Sequence, residues 1–192
     1  MNDRRWVWLG ALLISLAALG CGGEDGNGET TTVSRDTYPS GPYGTDQGAT
    51  IDDFKFVDSA GGDYALGDVF ADSSNKLLLL VFSAGWCTAC IEEQPTIKQW
   101  ASTHGAHGLS VLMALIEDET YTQATAEYAA SWKTQYDLSF SVVADTNGVI
   151  DQFGDSSLLP VNVLIDVDTM QVLNVFVGGS LESIEAVINA KL

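Results

Sequence analysis

The sequence predicts an α/β domain with a central mixed β-sheet, made of parallel strands plus a C-terminal antiparallel pair, flanked by helices. An apolar run at residues 77–82 is typical of a central parallel strand that helices cover on both faces. Strand and helix patterns then alternate along the chain, which indicates parallel β-α-β units. Near the C-terminus, two strand patterns are joined by the turn Asp168–Met170, which is too short for a crossover, so this pair is antiparallel.

The elements follow one another in a definite order. An edge strand is expected at 54–57, before a turn at 59–62, and the buried strand at 77–82 leads directly into a helix that ends near Thr103. The remaining predicted elements are a strand at 109–116, a helix at 122–136, a strand at 140–144, a turn at 145–148, a short helix at 150–153, strands at 161–167 and 172–177, and an amphipathic helix at 181–192.

Length and charge narrow the classes of function. The 192 residues allow one domain with appendages, and 46% hydrophobic residues exclude wholesale disorder. The chain has 26 acidic and only eight basic residues, for a net charge of −18. Nucleic acids and anionic lipid surfaces require a stripe of Lys and Arg, so neither is expected to bind the folded domain. A monomer is expected.

The first 20 residues have the pattern of a signal peptide. Arg4 and Arg5 precede an apolar stretch from Trp6 to Leu19, and small residues follow. This stretch is shorter than the 18 or more residues of a typical spanning helix, although a short membrane helix remains an alternative. We therefore expect residues 1–20 to direct export.

Cys21 is the predicted site of lipidation. Ala18-Leu19-Gly20-Cys21 resembles the bacterial lipobox, in which the cysteine is acylated and becomes the mature N-terminus; ordinary signal cleavage is the alternative. Using Cys21 in this way leaves Cys87 and Cys90 as a pair. The expected location is the cell envelope on its periplasmic face, and Gly22, where some bacteria use Asp to retain lipoproteins in the inner membrane, favours the outer membrane.

Residues 21–50 are expected to be a flexible tether between the anchor and a folded domain at 51–192. They are rich in Gly, Thr, Ser and Asp and show no sustained periodicity. A flexible chain of this length has a root-mean-square reach of roughly 30 Å. The aromatic segment 38–44 favours packing of the last part of this tether on the domain, with a short recognition segment as the alternative.

The candidate chemistry lies at Cys87-Thr88-Ala89-Cys90, between the buried strand and the next helix. Two cysteines three residues apart in the first helical turn are within reach of one disulfide. The helix N-terminus favours a thiolate at Cys87, which would attack a substrate disulfide, and Cys90 would resolve the mixed disulfide. A structural staple is one alternative. Half of a zinc site is another, with His104 and His107 as the available further ligands, although both are expected to be exposed.

The segment Phe82-Ser83-Ala84-Gly85-Trp86-Cys87-Thr88-Ala89-Cys90 resembles the F-W-A-x-W-C-x-x-C motif of thioredoxin-fold proteins. From about Phe54 to Leu192 the chain resembles the membrane-tethered thiol-disulfide oxidoreductases of the TlpA and ResA type, within the wider group of redoxin domains. The resemblance implies protein thiols and disulfides as substrates. It makes Glu93 a candidate for tuning Cys90 and relaying its proton, with an ordinary surface carboxylate as the alternative, and it gives Pro95 a structural role.

A second motif supports the resemblance. Leu159-Pro160-Val161-Asn162-Val163-Leu164-Ile165-Asp166 resembles the family's x-P-T-x-x-L-I-D, in which the proline is cis and lies beside the active disulfide. It implies that Trp86, Leu159 and Pro160 contribute to substrate binding, the Leu159 backbone by pairing with an extended substrate strand. The chain departs from cytoplasmic thioredoxins at Ala89, where Pro is common, and at Val81, where a buried Asp is usual.

The leading hypothesis is an enzyme, a lipid-anchored extracytoplasmic thiol-disulfide oxidoreductase that needs no cofactor and no metal. A redoxin-type peroxidase is the first alternative, although the P-x-x-x-T-x-x-C signature is missing, with Ala84 three residues before Cys87. A copper-binding assembly module of the thioredoxin fold is the second. That module uses two cysteines and a distant histidine, and this sequence has no histidine after His107.

Overall fold

The structure, a computed structural model, describes residues 35–192. The predicted signal peptide and the predicted lipidation site at Cys21 lie outside these residues. The strands are β1 (Lys55–Asp58), β2 (Asp63–Ala65), β3 (Leu77–Ser83), β4 (Leu109–Leu115), β5 (Ser141–Ala144), β6 (Val161–Asp166) and β7 (Gln171–Val177). The helices are α1 (Leu66–Ala71), α2 (Thr88–His104), α3 (Ala126–Gln135) and α4 (Leu181–Lys191), with 3₁₀ turns at Gly105–His107 and Val149–Gln152.

The seven strands form one mixed sheet in the order β2-β1-β5-β4-β3-β6-β7. The three central strands β3, β4 and β5 are parallel, and β6 and β7 continue the sheet as an antiparallel pair beside β3. At the other edge, β1 pairs antiparallel with both β5 and β2. This arrangement confirms the predicted thioredoxin-like fold, a mixed sheet flanked by helices.

Strand β3 is the centre of the core. All seven of its residues are buried, because successive side chains point to opposite faces and helices or turns cover both. Leu78, Leu80 and Phe82 pack in one cluster with α1 and the second 3₁₀ turn, and the intervening side chains pack in the other with α2, α3 and α4. Because β3 is fixed on both faces, its carboxyl end is a rigid platform for the residues that follow.

Two elements were not predicted. The strand β2 is only three residues long, and the six-residue helix α1 contains Gly67, a poor helix former, so neither produces a periodic pattern. Two hydrogen bonds stabilise them: the Gly67 N–H donates to Asp53 Oδ1 at 2.6 Å, and at the start of α1 the Ala65 N–H donates to Asp68 Oδ2 at 2.8 Å.

Helix α3 begins at Ala126, four residues later than the predicted start at 122. Thr125 is its N-cap, and its Oγ1 accepts a hydrogen bond from the Tyr128 N–H at 3.2 Å. The residues before it stay extended because Gln123 forms a β-bridge with Glu117.

Residues 35–50, which we call the N-terminal strap, contact the domain. Arg35 donates hydrogen bonds to carbonyls at the end of α1 and before β3, and Tyr38 packs edge-on against Phe70. The backbone of Gly48 donates to Val172 O at 2.7 Å, and Thr50 forms a bridge with Gln171 of β7. The last part of the expected tether is therefore packed on the domain, as the aromatic segment predicts. Among residues 35–192, no helix has the length and apolar character needed to cross a membrane.

Candidate functional site

Cys87 and Cys90 form a disulfide at the carboxyl end of β3, with a Cα–Cα distance of 5.2 Å. Cys87 is the N-cap residue of α2, and its Sγ accepts a hydrogen bond from the Cys90 N–H at 3.1 Å. Only 5% of Cys87 and 1% of Cys90 is exposed, so the expected difference in accessibility is present and small. Free N–H groups at a helix N-terminus stabilise a negative sulfur, which favours Cys87 as the more acidic thiol once the disulfide is reduced.

The loop before the disulfide is held close to a neighbouring loop at Gly85. The Gly85 N–H donates to Glu117 O at 2.9 Å. A Cβ at this position would lie 2.3 Å from Tyr128 Oη and 2.6 Å from Glu119 N, so only glycine fits without displacing its neighbours. The approach brings residues 117–121 over the segment that carries the cysteines.

Trp86 is half-buried directly before Cys87. Its Nε1–H donates to Glu117 Oε2 at 2.7 Å, and its ring stacks on Tyr121 with centroids 5.3 Å apart. Tyr121 is 68% exposed, so one ring covers a face of Trp86 and presents an aromatic surface to solvent. The Asp118 side chain accepts hydrogen bonds from Thr120 and fixes this loop. No pattern in the sequence identified Tyr121, which lies in a polar segment without periodicity.

Glu93 lies one turn after Cys90 on α2 and is buried, with only 4% of its surface exposed. It is therefore not the ordinary surface carboxylate that was the alternative. Burial raises the pKa of Glu93, and a hydrogen bond from Asn162 lowers it in part. Asn162 Nδ2 donates to Glu93 Oε2 at 3.2 Å, whereas Glu93 Oε1 has no hydrogen-bond partner within residues 35–192.

Asn162 was not identified from the sequence. It is fully buried on β6, between Val161 and Val163, and it pairs in register with Val81 of β3. The available signal was a polar residue within an otherwise apolar strand, but its partner Glu93 is 69 residues away in sequence. No local pattern identifies such a pair.

The segment before β6 and the disulfide lie at the same end of the strands, because β6 is antiparallel to β3 and Val161 is opposite Phe82. The Leu159–Pro160 peptide bond is cis, which confirms the prediction of its geometry. Pro160 O accepts a hydrogen bond from the Gly178 N–H at 2.9 Å, which fixes the segment to the turn after β7. Leu159 and Trp86 both pack against the core cluster that contains the two cysteines.

Among residues 35–192, no lysine or arginine forms an ion pair with the acidic side chains of the loop near the site. Glu117, Asp118 and Glu119 are consecutive in the loop next to Trp86. The Thr120 hydroxyl and the backbone N–H groups of the loop lower the pKa of Asp118, which is charged at neutral pH. By contrast, Arg35 binds Asp168 and Lys191 binds Asp166, at or just after the carboxyl end of β6. Because β6 is antiparallel to β3, these ion pairs lie at the end of the strands opposite the cysteines.

The two histidines considered as zinc ligands lie at the C-terminal end of α2, far along the helix from the cysteines. His107 is exposed and His104 is partly exposed. In the part of the chain that the structure describes, no three His, Cys, Asp or Glu side chains are grouped so that they could hold a metal ion.

Comparisons with known proteins agree with this geometry. Residues 47–172 match the model of the AhpC/TSA family. No curated protein sequence matches the chain. A solved structure assigned as the thiol:disulfide interchange protein DsbE of Chlorobium tepidum is similar at 25% identity and a TM-score of 0.62, over 76% of this chain and 97% of that one.

Two further solved structures share the fold at lower identity. The exposed lipoprotein thioredoxin Etrx1 of Streptococcus pneumoniae has 21% identity and a TM-score of 0.57, over 72% of this chain and 99% of that one. The peroxidoxin BcpB of Mycobacterium tuberculosis has 20% identity and a TM-score of 0.59, over 76% of this chain and 94% of that one.

Proposed function

We propose that the chain, which belongs to the AhpC/TSA family, acts on protein disulfides and dithiols through Cys87 and Cys90. The premise is that it is a thiol-disulfide oxidoreductase of the thioredoxin fold. The observation that carries the proposal is the position of Cys87 at the N-cap of α2, bonded to Cys90 one turn into the helix. A disulfide that closes so short a loop contributes little to stability through chain entropy, so reactivity is the better explanation of its presence.

The reaction balances in two steps. In the reducing direction, the Cys87 thiolate attacks one sulfur of a substrate disulfide, a mixed disulfide forms, and the other substrate sulfur leaves as a thiolate that takes up a proton. Cys90 then loses its proton and attacks Cys87 Sγ, which re-forms the internal disulfide and releases the second substrate thiolate. Two electrons pass from the protein dithiol to the substrate, and the reverse sequence oxidises a substrate dithiol.

Glu93 is the proposed acceptor of the Cys90 proton. It is buried on the same helix one turn after Cys90, and its pKa is raised by burial. A carboxylate with a raised pKa accepts a proton more readily near neutral pH than an exposed one does. Residues 77–82 of β3 are apolar and Ser83 carries only a hydroxyl, so β3 supplies no carboxylate or imidazole as an alternative base.

Trp86, Leu159 and Pro160 are the proposed substrate-binding residues. They flank the disulfide on two sides, Trp86 from the loop after β3 and the other two from the segment before β6. Leu158 and Tyr121 add exposed apolar surface next to them. An extended substrate segment that binds between these two sides would bring its own disulfide to Cys87.

The first test is exchange with a protein disulfide such as insulin, followed by its reduction in the presence of a dithiol. We expect Cys87→Ser to abolish turnover. Cys90→Ser should accumulate a mixed disulfide that appears as a reducible adduct on a non-reducing gel. Cys21→Ser is the matched control, because it removes a cysteine outside the proposed pair and should leave turnover unchanged. Full activity of Cys87→Ser would refute the assignment of the nucleophile.

We further propose that the protein is exported and anchored through a lipid on Cys21, in the outer rather than the inner membrane. The N-terminal sequence pattern supports the proposal, and a structural neighbour of the same fold is an exposed lipoprotein. Residues 1–20 would be removed, and the connection to the domain would run from Cys21 to the strap. Mass spectrometry of the mature N-terminus and fractionation of the membranes test this, and a Cys21→Ser protein that remained in the membrane fraction would contradict it.

A peroxidase activity is the second candidate, because the chain belongs to the AhpC/TSA family and shares its fold with a peroxidoxin. Against it, Arg35 is the only arginine in residues 35–192 and is bound at the opposite end of the strands, so the described residues place no arginine beside Cys87 to polarise a peroxide. Mixing the reduced protein with hydrogen peroxide separates the two functions. Oxidation of the thiols faster than exchange with a protein disulfide would favour the peroxidase.

A further inference from the structure

Two buried polar side chains meet behind the disulfide, and both are incompletely satisfied. Asn162 donates to Glu93 Oε2, but neither Glu93 Oε1 nor Asn162 Oδ1 has a hydrogen-bond partner in the described part of the chain. A buried carboxylate has two acceptor oxygens, and each one left without a donor disfavours the charged form. The site therefore supports the charged carboxylate with one donor only, and that donor is Asn162.

Within residues 35–192, the groups around Glu93 supply no second hydrogen-bond donor and no positive charge that would stabilise its carboxylate. Asn162 faces Oε2 from β6, and Gly179 in the turn between β7 and α4 approaches Oε1 without a side chain. On its own helix, the titratable neighbour is the Cys90 thiol one turn earlier. Burial and the Asn162 bond are the two causes of the shift in the pKa of Glu93, and they act in opposite directions. Removal of the Asn162 donor therefore leaves burial unopposed.

We propose that Asn162 is a positioning residue for disulfide exchange, whose amide holds the Glu93 carboxyl in the charged form that accepts the proton of Cys90. The inference rests on the proposed function and adds to it a residue on a different strand. The proton moves from Cys90 Sγ to the Glu93 carboxylate as Cys90 attacks the Cys87 sulfur of the mixed disulfide. The substrate thiolate leaves with the electron pair of the broken bond, and Glu93 later returns its proton to water.

The test uses the full chain with Cys21→Ser, so that Cys87 and Cys90 are its only thiols. The reduced protein is mixed with the aromatic disulfide dithiobis(nitrobenzoate), and release of the coloured thiolate is followed in time. The first coloured thiolate reports the attack by Cys87, and the second reports the attack by Cys90 on the mixed disulfide. The first phase is thus an internal control for the second.

In Asn162→Leu we expect the first phase to be unchanged and the second phase to slow about tenfold at neutral pH, with its pH profile moved upward. Tenfold corresponds to about 1.4 kcal/mol, which is near the lower end for a hydrogen bond to a charged group.

Repeating the Asn162→Leu measurement in a protein that also carries Glu93→Gln distinguishes a positioning role of Asn162 from a general structural one. If Asn162 acts through the Glu93 carboxyl, Asn162→Leu should cause no further slowing and no pH shift once Glu93 is Gln. An equal slowing in both backgrounds would overturn the inference, and so would an unchanged second phase in Asn162→Leu. Absence of the first phase in the protein with wild-type Asn162 would instead refute the proposed function itself, so the two failures are distinguishable.

Discussion

Arg35 should be the main attachment of the N-terminal strap, and Arg35→Ala tests this directly. Its side chain is only 6% exposed, and it donates to Asp72 O and Asn75 O at 2.7 Å and to Phe70 O at 3.3 Å. Its guanidinium also lies 5.9 Å from the centre of the Phe70 ring and binds the half-exposed Asp168. Alanine would remove all of these contacts at once and leave three carbonyls without their donor.

The expected loss of unfolding free energy is about 2–4 kcal/mol. A hydrogen bond from a charged group contributes about 1.5–3 kcal/mol, but water partly replaces the bonds at the exposed carbonyls, and an exposed ion pair adds less than about 1 kcal/mol. Arg35→Lys should recover only part of the loss, because an ammonium group cannot reach several carbonyls in the fixed geometry of a guanidinium.

Urea unfolding of the full chain measures this loss. We expect a lower urea concentration at the midpoint and an unchanged slope of the unfolding free energy against urea concentration. Lys55→Ala is the matched control, since the Lys55 side chain is mostly exposed and pairs with Asp53 at the surface. We expect the control to cost less than about 0.5 kcal/mol. A loss at Arg35 as small as that of the control would refute the role of the strap as a part of the folded domain.

Three further changes test the site. Gly85→Ala should destabilise the fold by about 1–3 kcal/mol, because its Cβ would meet Tyr128 Oη, and thermal unfolding measures this. Trp86→Phe keeps a ring on Tyr121 but removes the donor to Glu117, so urea unfolding should show a loss of about 0.5–1.5 kcal/mol. Burial raises the pKa of Glu93, so the folded protein keeps a proton that the unfolded chain loses above about pH 4.5. Glu93 therefore lowers the free energy of unfolding as the pH rises towards its pKa in the folded protein. Glu93→Gln should abolish that part of the decline above about pH 4.5, and an identical pH dependence in wild type and variant would contradict it.

The parts of the fold that the sequence predicted correctly have local causes. The apolar run that became β3 and the short turn between β6 and β7 are patterns of neighbouring residues, and both determine strand direction. The cysteine pair at the start of α2 was likewise predicted from a short motif, because two cysteines three residues apart can reach each other within one helical turn. The cis Leu159–Pro160 bond was expected from the resemblance of residues 159–166 to the family's motif.

The features that were missed depend on residues far apart in sequence. Glu93 meets Asn162 across 69 residues, and Arg35 meets Asp168 across 133. The burial of Glu93 follows from the packing of α2 on the sheet, and nothing in the helical pattern distinguishes it from a surface carboxylate. Tyr121 belongs to the site only because Gly85 allows its loop to approach closely.

The reduction potential of the Cys87–Cys90 pair tests the central claim most directly. The full chain carrying Cys21→Ser would be equilibrated across a series of glutathione buffers and its free thiols counted. We predict a reversible two-electron couple between roughly −100 and −300 mV, as found for working redox disulfides. A disulfide that stayed closed throughout this range would show that the pair is a structural staple and would contradict the account.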